Sequence, residues 1–325
     1  MQANILRYPK LYIRSKNELA KHLSHSRFSK TESLNLINDV IINYGQYWKD
    51  NKKQSEPEKD KYVRNAKGTP LGAFLDKVNK MVLAPHDKIL PNFIFGGVKG
   101  MNHAKAAEHL LGQKRKRVAL KMDITRFFEQ ISRGRVFYFF HNKCSCGVKA
   151  SKIMADLCCV PVGPKNSGQT HKTIARGFAT SSRLAVWCNL DTFIKLDYLV
   201  KKQLKGKDYR IAIYVDDIGI TASRTSKEEM ENLSIEITKL LLNSDKNQKL
   251  PVNSNKTKVT SHEEGIEHLG LRLYRNRLSI GAKTKSKRDK AKNKLKKNKV
   301  SIEEKSHARN KYRSLTHYKK YIESI

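Results

Sequence analysis

Hydrophobic positions recur along this chain with two different periods. Apolar residues at helical spacing predict amphipathic helices, the first of them with a polar break near residues 26–29. The predicted helices are 17–45, 71–83, 184–194, 227–242 and 312–325. Short β-branched runs lie between them and predict strands. The predicted strands are 118–123, 211–215, 218–221 and 250–259, the last carrying Lys256, with a final hairpin at 266–280. We expect residues 141–175 to be irregular.

Two adjacent carboxylates interrupt the strand-like residues 209–222. Asp216 and Asp217 fall between two apolar runs, so we expect them at the tight turn of a β-hairpin. Like charges held side by side repel, and a divalent cation such as Mg²⁺ relieves that repulsion by binding carboxylate oxygens. An ordinary solvated Asp-Asp turn is the alternative. The tetrad Tyr214-Val-Asp-Asp217 between apolar runs favours the metal site.

A third carboxylate ends an earlier strand. Asp123 follows the apolar residues 118–122, and the residues after it turn toward a helix. A carboxylate at the end of a buried strand needs a charged partner, and a metal ion shared with Asp216 would be one. Capping of the helix that follows fits the local sequence equally well.

The charge of the chain is strongly unbalanced. Its 325 residues include 66 Lys and Arg against 30 Asp and Glu, a formal net charge of +36. Such an excess implies a polyanionic partner, with nucleic acid as the first candidate and a membrane surface as the second. No apolar run approaches the roughly 20 residues of a spanning helix, and the first residues lack the apolar core of a signal peptide. We therefore expect a cytoplasmic protein with no membrane partner.

The five cysteines are expected to be reduced thiols. Four of them lie close in sequence, but their spacing matches no recognisable zinc pattern. Packing of Cys158 and Cys159 on the buried face of a helix is therefore favoured over a zinc site shared with His141 or His171. The four are Cys144, Cys146, Cys158 and Cys159.

Basic residues concentrate in three segments. Residues 47–69 predict a mobile loop or β-hairpin that touches a polyanion, in which Arg64 and Lys67 either contact an incoming triphosphate or are solvated charges. The other segments are 114–117 and the run 283–299, where contact with a nucleic-acid backbone is favoured over a solvated face. The candidate nucleic-acid ligands are Lys114, Arg115, Lys116, Arg117, Lys285, Lys287 and Arg288.

Taken in order, several motifs resemble the palm of a reverse transcriptase over roughly residues 60–280. The motifs are Met122-Asp-Ile-Thr-Arg-Phe-Phe128, Ala175-Arg-Gly-Phe-Ala-Thr-Ser-Ser182, Tyr214-Val-Asp-Asp217, Asn255-Lys-Thr257 and His268-Leu-Gly-Leu271. Short bacterial enzymes, the retron and defence-associated reverse transcriptases, are the most similar in build. Ala106-Ala-Glu-His109 and His268-Leu-Gly270 keep only part of the retron signatures, which favours a defence-associated relative.

The resemblance implies an α+β right-hand polymerase whose antiparallel palm sheet packs on helices. It places the fingers at 1–117 and the palm at 118–281, with a finger-like insert at 141–175. A short basic helical thumb would follow at 282–325.

The resemblance also implies the roles of the acidic residues. Asp123 and Asp216 would share two Mg²⁺ ions, with Mn²⁺ as an alternative, and Ile124 would be a further metal ligand. Asp217 would act through a looser contact. Lys256 would protonate the pyrophosphate leaving group, and no covalent intermediate would form.

Three further residues would meet the nucleotide. Phe128 occupies the sugar-gate position, where a bulky ring would exclude a 2′-hydroxyl; plain core packing is the alternative. Arg176 stands where the family has Gln, and its guanidinium would add a phosphate or base contact. Gly177 lies beside it in the same motif.

Three functions compete on this basis. The first is an RNA-directed DNA polymerase that uses dNTPs and works with a structured non-coding RNA and its DNA product in antiphage defence. A second defence protein or another copy of the chain would be a further partner. The second is DNA synthesis without a nucleic-acid template, suggested by Arg176 and the insert 141–175. The third is a non-catalytic RNA-binding scaffold.

Overall fold

The largest sheet of the protein has four antiparallel strands. They are β3 (Arg117–Asp123), β6 (Tyr209–Tyr214), β7 (Asp217–Ser223) and β8 (Lys258–Ser261), in the spatial order β6-β7-β3-β8. Strand β3 is paired on both edges and almost wholly buried, which explains why its interior is apolar except for the half-buried Lys121. The computed structural model describes residues 8–112, 116–246, 248–296 and 301–325. The residues behind the signal-peptide expectation therefore lie mostly outside the described part.

Helices pack on this sheet and build the N-terminal part of the chain. Helix starts are encoded locally: Ser29 and Ser226 each form a capping box with a glutamate three residues later. The buried residues of α9 recur every three or four positions, and this stripe packs on β3 and β8. The described helices are α1 (Lys16–Leu23), α2 (Lys30–Asn43), α3 (Pro70–Lys77), α4 (His103–His109), α5 (Arg133–Tyr138), α6 (Val148–Cys158), α7 (Ser181–Cys188), α8 (Leu190–Gln203), α9 (Lys227–Asn243), α10 (Ala282–Leu295) and α11 (Ile302–Glu323).

Smaller sheets complete the fold. Residues 47–69 form a β-hairpin, one of the two predicted alternatives, with β1 (Lys49–Asp50) paired to β2 (Arg64–Asn65). Strand β4 (Cys159–Pro161) pairs with β5 (Lys172–Ile174). A three-stranded sheet follows near the C-terminus, with β9 (Ile266–His268), β10 (Leu271–Leu273) and β11 (Leu278–Ile280).

Three predicted elements differ from the structure. Residues 141–175 are not irregular, because they hold α6 and the β4–β5 pair, whose apolar residues face the core. Residues 250–259 are a strand only in their last part, and Lys256 lies in the 3₁₀ turn Ser254–Lys256 before β8. Residues 266–280 form three strands rather than a hairpin.

The buried side chains form two clusters. The larger one lies between the four-stranded sheet and the helices that cover it. The smaller one joins α4, the sheet β9–β11 and Ile322 of α11, and it also includes Ala119 and Ala212 of the four-stranded sheet. The C-terminal part of the chain is therefore fixed against the same sheet that carries the acidic residues.

The basic C-terminal run is helical. In α10 a single residue, Ala291, is buried, so the lysines of this helix face solvent or its surface neighbours. Residues 297–299 of the run lie outside the described residues. Helix α11 is longer than the predicted 312–325. Across the described residues, no helix combines the length and the apolar character needed to cross a membrane.

Candidate active site

The turn between β6 and β7 holds the acidic doublet. Val215 has a φ of 62°, a left-handed conformation that is costly for a β-branched residue. The main chain of Gly96 lies against this turn, so that a Cβ on Gly96 would overlap the main-chain nitrogen of Val215. Backbone strain of this kind persists only where neighbouring structure holds it. The position of the doublet is therefore set by its surroundings as well as by the turn itself.

Asp123 meets the doublet through the register of two strands. Strands β3 and β7 pair so that Asp123 lies opposite Asp217. The N–H of Ile124 donates to the carbonyl of Asp216 at 3.0 Å. All three acidic residues thus lie at one end of the sheet. The helix-cap interpretation of Asp123 is wrong, because Arg126 occupies the N-cap position of the 3₁₀ turn that follows.

Burial and the charge of neighbouring carboxylates raise the pKa of both carboxyl groups in the doublet. The pKa of Asp217 rises to about 6, mainly through burial and then through the charge of Asp216. Burial also raises the pKa of Asp216, and the charge of Asp123 adds to this rise, whereas Arg176 and Lys256 oppose it. The doublet therefore carries negative charge that nearby cations do not fully compensate.

Lys256 is bonded to the upstream carboxylate. Its Nζ donates to both carboxylate oxygens of Asp123, at 2.9 and 3.0 Å. The lysine side chain remains 58 % exposed, whereas that of Asp123 is 12 % exposed. The ammonium group therefore lies at the mouth of the site, between Asp123 and solvent.

A ring and an ion pair form a second part of the site. Arg176 donates from Nε and Nη2 to the two carboxylate oxygens of Glu129, at 3.1 and 3.0 Å. Its guanidinium carbon lies 4.9 Å from the centroid of the Phe128 ring. The charge of Arg176 also acts on Asp216. This part of the site therefore adjoins the acidic doublet.

Residues 72–273 match the reverse transcriptase (RNA-dependent DNA polymerase) family. The chain belongs to this family. The matched range includes the three acidic residues, Lys256 and Arg176. The predicted fold class, an α+β right-hand polymerase with an antiparallel sheet packed on helices, is confirmed, and so is the reverse transcriptase identified from the motifs.

Two curated relatives are bacterial retron enzymes. The chain is 27 % identical over 196 residues to the Retron Ec48 reverse transcriptase of Escherichia coli, a match that covers 57 % of this chain and 43 % of that protein. It is 23 % identical over 237 residues to the Retron Se72 reverse transcriptase of Salmonella heidelberg (strain 579083-10), covering 73 % and 55 %. The chain spans about half the length of these relatives. They support the retron type of bacterial reverse transcriptase. The favoured defence-associated subtype stays a prediction.

Two solved telomerase structures are also similar. Telomerase from Candida albicans in complex with a TWJ fragment of telomeric RNA is 11 % identical, with 77 % of this chain and 48 % of that chain covered and a TM-score of 0.43. Apo telomerase from Candida tropicalis, truncated from the C-terminal domain, is 11 % identical, with 52 % and 36 % covered and a TM-score of 0.36. Both likenesses are partial, and the family assignment comes from the match over residues 72–273.

The acidic residues of this reverse transcriptase suit a hard divalent cation by their donor chemistry. Within the described ranges, no cluster of three or more His, Cys, Asp or Glu side chains is arranged to hold a metal ion. Lys256 neutralises Asp123 instead. The doublet, however, offers the carboxylate oxygens of two adjacent side chains, and Mg²⁺ prefers such hard oxygen ligands. Asp216 and Asp217 thus fit the ion, and Asp123 would join them on releasing Lys256.

The cysteines of the reverse transcriptase are free and buried, with pKa values raised by burial. None of them belongs to a metal-holding cluster among the described residues. Core packing, the favoured interpretation of the sequence, agrees with this placement.

Arg64 differs from its predicted role. Its side chain is buried, pairs with Asp50 and donates to the carbonyls of Pro161 and Gly163. A triphosphate contact is therefore contradicted, because the guanidinium is already bonded inside the protein. Lys67 is exposed in the turn after β2, where its predicted contact stays open.

The main chain at Gly177 is set close to Arg64. Gly177 has a φ of 100°, and a Cβ there would lie 2.5 Å from the carbonyl oxygen of Arg64. Only glycine fits this conformation and this approach without strain. Gly177 therefore shapes the backbone beside Arg176.

The predicted nucleic-acid ligands separate into two groups. Lys116, Lys285 and Lys287 are exposed, and Arg288 is half-buried next to Asp289. Arg117 is a correction: it is buried, pairs with Asp208 at 2.6 Å and donates to Thr221, so it stabilises the sheet instead of facing a partner. Lys114 and Arg115 lie outside the described residues.

Sequence reasoning missed Glu129 as a site residue. One signal was present. Arg176 stands where the motif expects an amide, and a buried guanidinium needs a carboxylate partner. Glu129 directly follows Phe128 in another motif of the site, so it was a candidate for that partner. It also missed His103, which contacts Tyr214 and Tyr318. No local pattern announces that contact, because its members are far apart in the chain.

Proposed function

We propose that this chain is an RNA-directed DNA polymerase that extends a primer with dNTPs by nucleotidyl transfer. The observation that carries the proposal is the register that puts Asp123 opposite Asp217 and Ile124 against Asp216. Phosphoryl transfer depends on positioning and charge stabilisation, which need carboxylates held on stiff elements. Two paired strands and a tight turn supply that stiffness.

Asp123, Asp216, Asp217 and the main chain of Ile124 are the residues proposed to hold two Mg²⁺ ions, or Mn²⁺. When bound, such ions activate the attacking hydroxyl and neutralise charge on the phosphates. Asp123 takes part by exchanging Lys256 for a cation, since one carboxylate cannot stay fully bonded to the ammonium and also bind the ion.

The side chains around the carboxylates have their own proposed tasks. Lys256 holds a proton for the leaving pyrophosphate, since its ammonium group is largely exposed. Phe128 excludes a 2′-hydroxyl, Arg176 and Gly177 form the adjoining wall, and Lys67 reaches the triphosphate.

A structured non-coding RNA is the proposed partner, together with the DNA product. The net charge of +36 and the exposed Lys116, Lys285 and Lys287 support a nucleic-acid partner. The relatives named as retron reverse transcriptases motivate the proposed role in antiphage defence in the cytoplasm, with a second defence protein or another copy of the chain as a further partner. Fingers at 1–117, palm at 118–281 and thumb at 282–325 are the proposed domains.

Primer extension on an RNA template with Mg²⁺ and dNTPs tests the proposed activity. We expect Asp216→Asn to slow extension at least about a hundredfold, because it removes charge that the reaction needs. Glu231→Gln, which changes an exposed carboxylate on α9, is the matched control and should behave as the wild type. Undiminished synthesis by Asp216→Asn would contradict the proposal. If that variant also kept its function in cells, the RNA-binding scaffold would be favoured.

Template-free DNA synthesis is the second candidate. The β4–β5 part of the predicted insert lines one small cleft together with Arg176 and Glu129, which brings the insert next to the candidate active site. Sequencing the DNA made without added template decides between the two. A repetitive product unrelated to any co-purified RNA supports this candidate, and a product complementary to such an RNA contradicts it.

A further inference from the structure

Arg176 is bound by a carboxylate of its own chain. The two parallel bonds to Glu129, at 3.1 and 3.0 Å, join side chains that are only 17 % and 14 % exposed. A bidentate pair needs the planar fork of a guanidinium, which the ammonium of a lysine lacks. The geometry of this pair is therefore specific to arginine.

The same guanidinium restrains an aromatic ring. It lies 4.9 Å from the centroid of the Phe128 ring, which also packs against Phe127 at 5.9 Å. A cation over a ring adds attraction, and more so where water is excluded. Phe128 is 8 % exposed, so its remaining free edge is small.

The main chain keeps this arrangement rigid at both ends. The N–H of Arg64 donates to the carbonyl of Arg176 at 2.6 Å, and the N–H of Glu129 donates to the carbonyl of Arg126 at 2.9 Å. These bonds fix the main chain from which each side chain of the pair starts. The ring is thus held from a fixed frame.

We propose that the Arg176–Glu129 pair is a positioning device that holds the Phe128 ring in place and so sets the preference for deoxynucleotides over ribonucleotides. This rests on the proposed polymerase function, in which Phe128 meets the sugar. An excluding ring is effective only when it cannot turn away from a 2′-hydroxyl, and the pair supplies that resistance. Arg176 acts here through Phe128 and not through a phosphate.

Single-nucleotide incorporation measures the effect. We expect Arg176→Lys, which keeps the charge but not the fork, and Glu129→Gln to lower the ratio of kcat/KM for dNTP over rNTP about three- to tenfold. The change should come mainly from a lower KM for the ribonucleotide. Phe128→Ala should lower the ratio further, and adding Arg176→Lys to it should change the ratio no more. An unchanged ratio in both pair variants overturns the proposal.

The chain offers a matched control pair elsewhere. Arg133 donates from Nε and Nη2 to Asp156 at 2.8 and 3.0 Å, and its guanidinium lies 5.9 Å from the Phe137 ring. Arg133→Lys removes the same fork geometry and should leave the sugar ratio as in the wild type. An equal fall of the ratio in this variant would show a general loss of rigidity and overturn the specific role.

A stability cycle tests the restraint without any synthesis. Urea unfolding of Arg176→Lys, Phe128→Leu and the double variant should give non-additive changes, because the two side chains share one contact. Additive changes overturn the restraint. A wild-type chain that incorporates neither nucleotide overturns the polymerase assignment and the sugar preference with it. An active wild type with an unchanged ratio overturns only the role of the pair.

Discussion

A buried histidine against the palm sheet shows how burial controls the protonation of a single side chain. His268 is 3 % exposed, and neither of its ring nitrogens has a hydrogen-bond partner among the described residues. Burial, and then the charge of Lys121, lower its pKa to about 3. A Cβ on Gly219 would lie 2.7 Å from its Nε2, so the neutral ring packs directly on β7.

This histidine makes stability depend on pH. The unfolded chain binds a proton at His268 near pH 6.5, whereas the folded chain binds it only near pH 3. The folded pKa is lower than the unfolded one, so stability falls as pH drops below 6.5, by about 2 kcal/mol at pH 5 from this group. Urea unfolding of the wild type and of His268→Phe between pH 7.5 and 5 measures the difference.

His268→Phe should lose this part of the pH dependence. His22→Phe, a change at an exposed histidine of α1, should keep it. Parallel pH curves for the wild type and His268→Phe would contradict the buried neutral ring.

Among the elements, the C-terminal helix α11 reaches the catalytic turn through α4. The hydroxyl of Tyr318 lies 2.6 Å from Nε2 of His103, and the His103 ring meets the Tyr214 ring edge-on at 6.5 Å. A second contact between α11 and the start of α4 does not involve Tyr214: Asn102 donates to the hydroxyl of Tyr321 at 2.9 Å. Tyr214 directly precedes the turn, so the path connects α11 to the acidic doublet.

Tyr318→Phe tests this connection. The variant keeps the ring but removes the hydroxyl, which frees His103 to move away from Tyr214. We expect kcat for primer extension to fall about two- to fivefold, the effect of one net hydrogen bond. Steady-state extension kinetics give the value.

Tyr321→Phe is the matched variant, since it removes one hydrogen bond between the same helices. It should lower the melting temperature by about as much as Tyr318→Phe does, while leaving kcat near that of the wild type. Equal losses of kcat in both variants would mean that α11 contributes only general stability.

For the whole molecule, the excess of +36 should appear as a steep salt dependence of RNA binding. Lys285 and Lys287 are exposed on α10, where a single residue is buried, so their charges are available to phosphates. Changing both to Gln should lower the slope of log Kd against log salt by up to about 2. Binding of a fluorescent RNA stem-loop at several salt concentrations measures the slope.

Lys201→Gln with Lys202→Gln makes the same charge change at the exposed end of α8. A slope that falls equally in this control would assign the binding to net charge alone.

Arg117, by contrast, stabilises the fold. Arg117→Gln should lower the free energy of unfolding, measured in urea, because it removes the ion pair with Asp208.

Much of the fold could be predicted from local patterns. The helix α9, the hairpin with the doublet and the strand that ends at Asp123 were all legible, because each depends on residues within a few positions of one another. The segment 141–175 was misjudged because its turn residues, Val160-Pro-Val-Gly-Pro164 and Lys165-Asn-Ser-Gly168, were taken to represent the whole segment, although α6 before them is amphipathic.

The sequence by itself determined which residue types stand at the ends of β3 and β6 and how strongly the chain attracts polyanions. Only the tertiary structure decided that Asp123 lies opposite Asp217, that Lys256 bonds Asp123, and that Arg176 faces Glu129. It likewise decided that Arg64 and Arg117 are buried while the nearby Lys67 and Lys116 are exposed. The physical reason is that a charged side chain is placed by its partner, and these partners come from distant parts of the chain that meet only on folding.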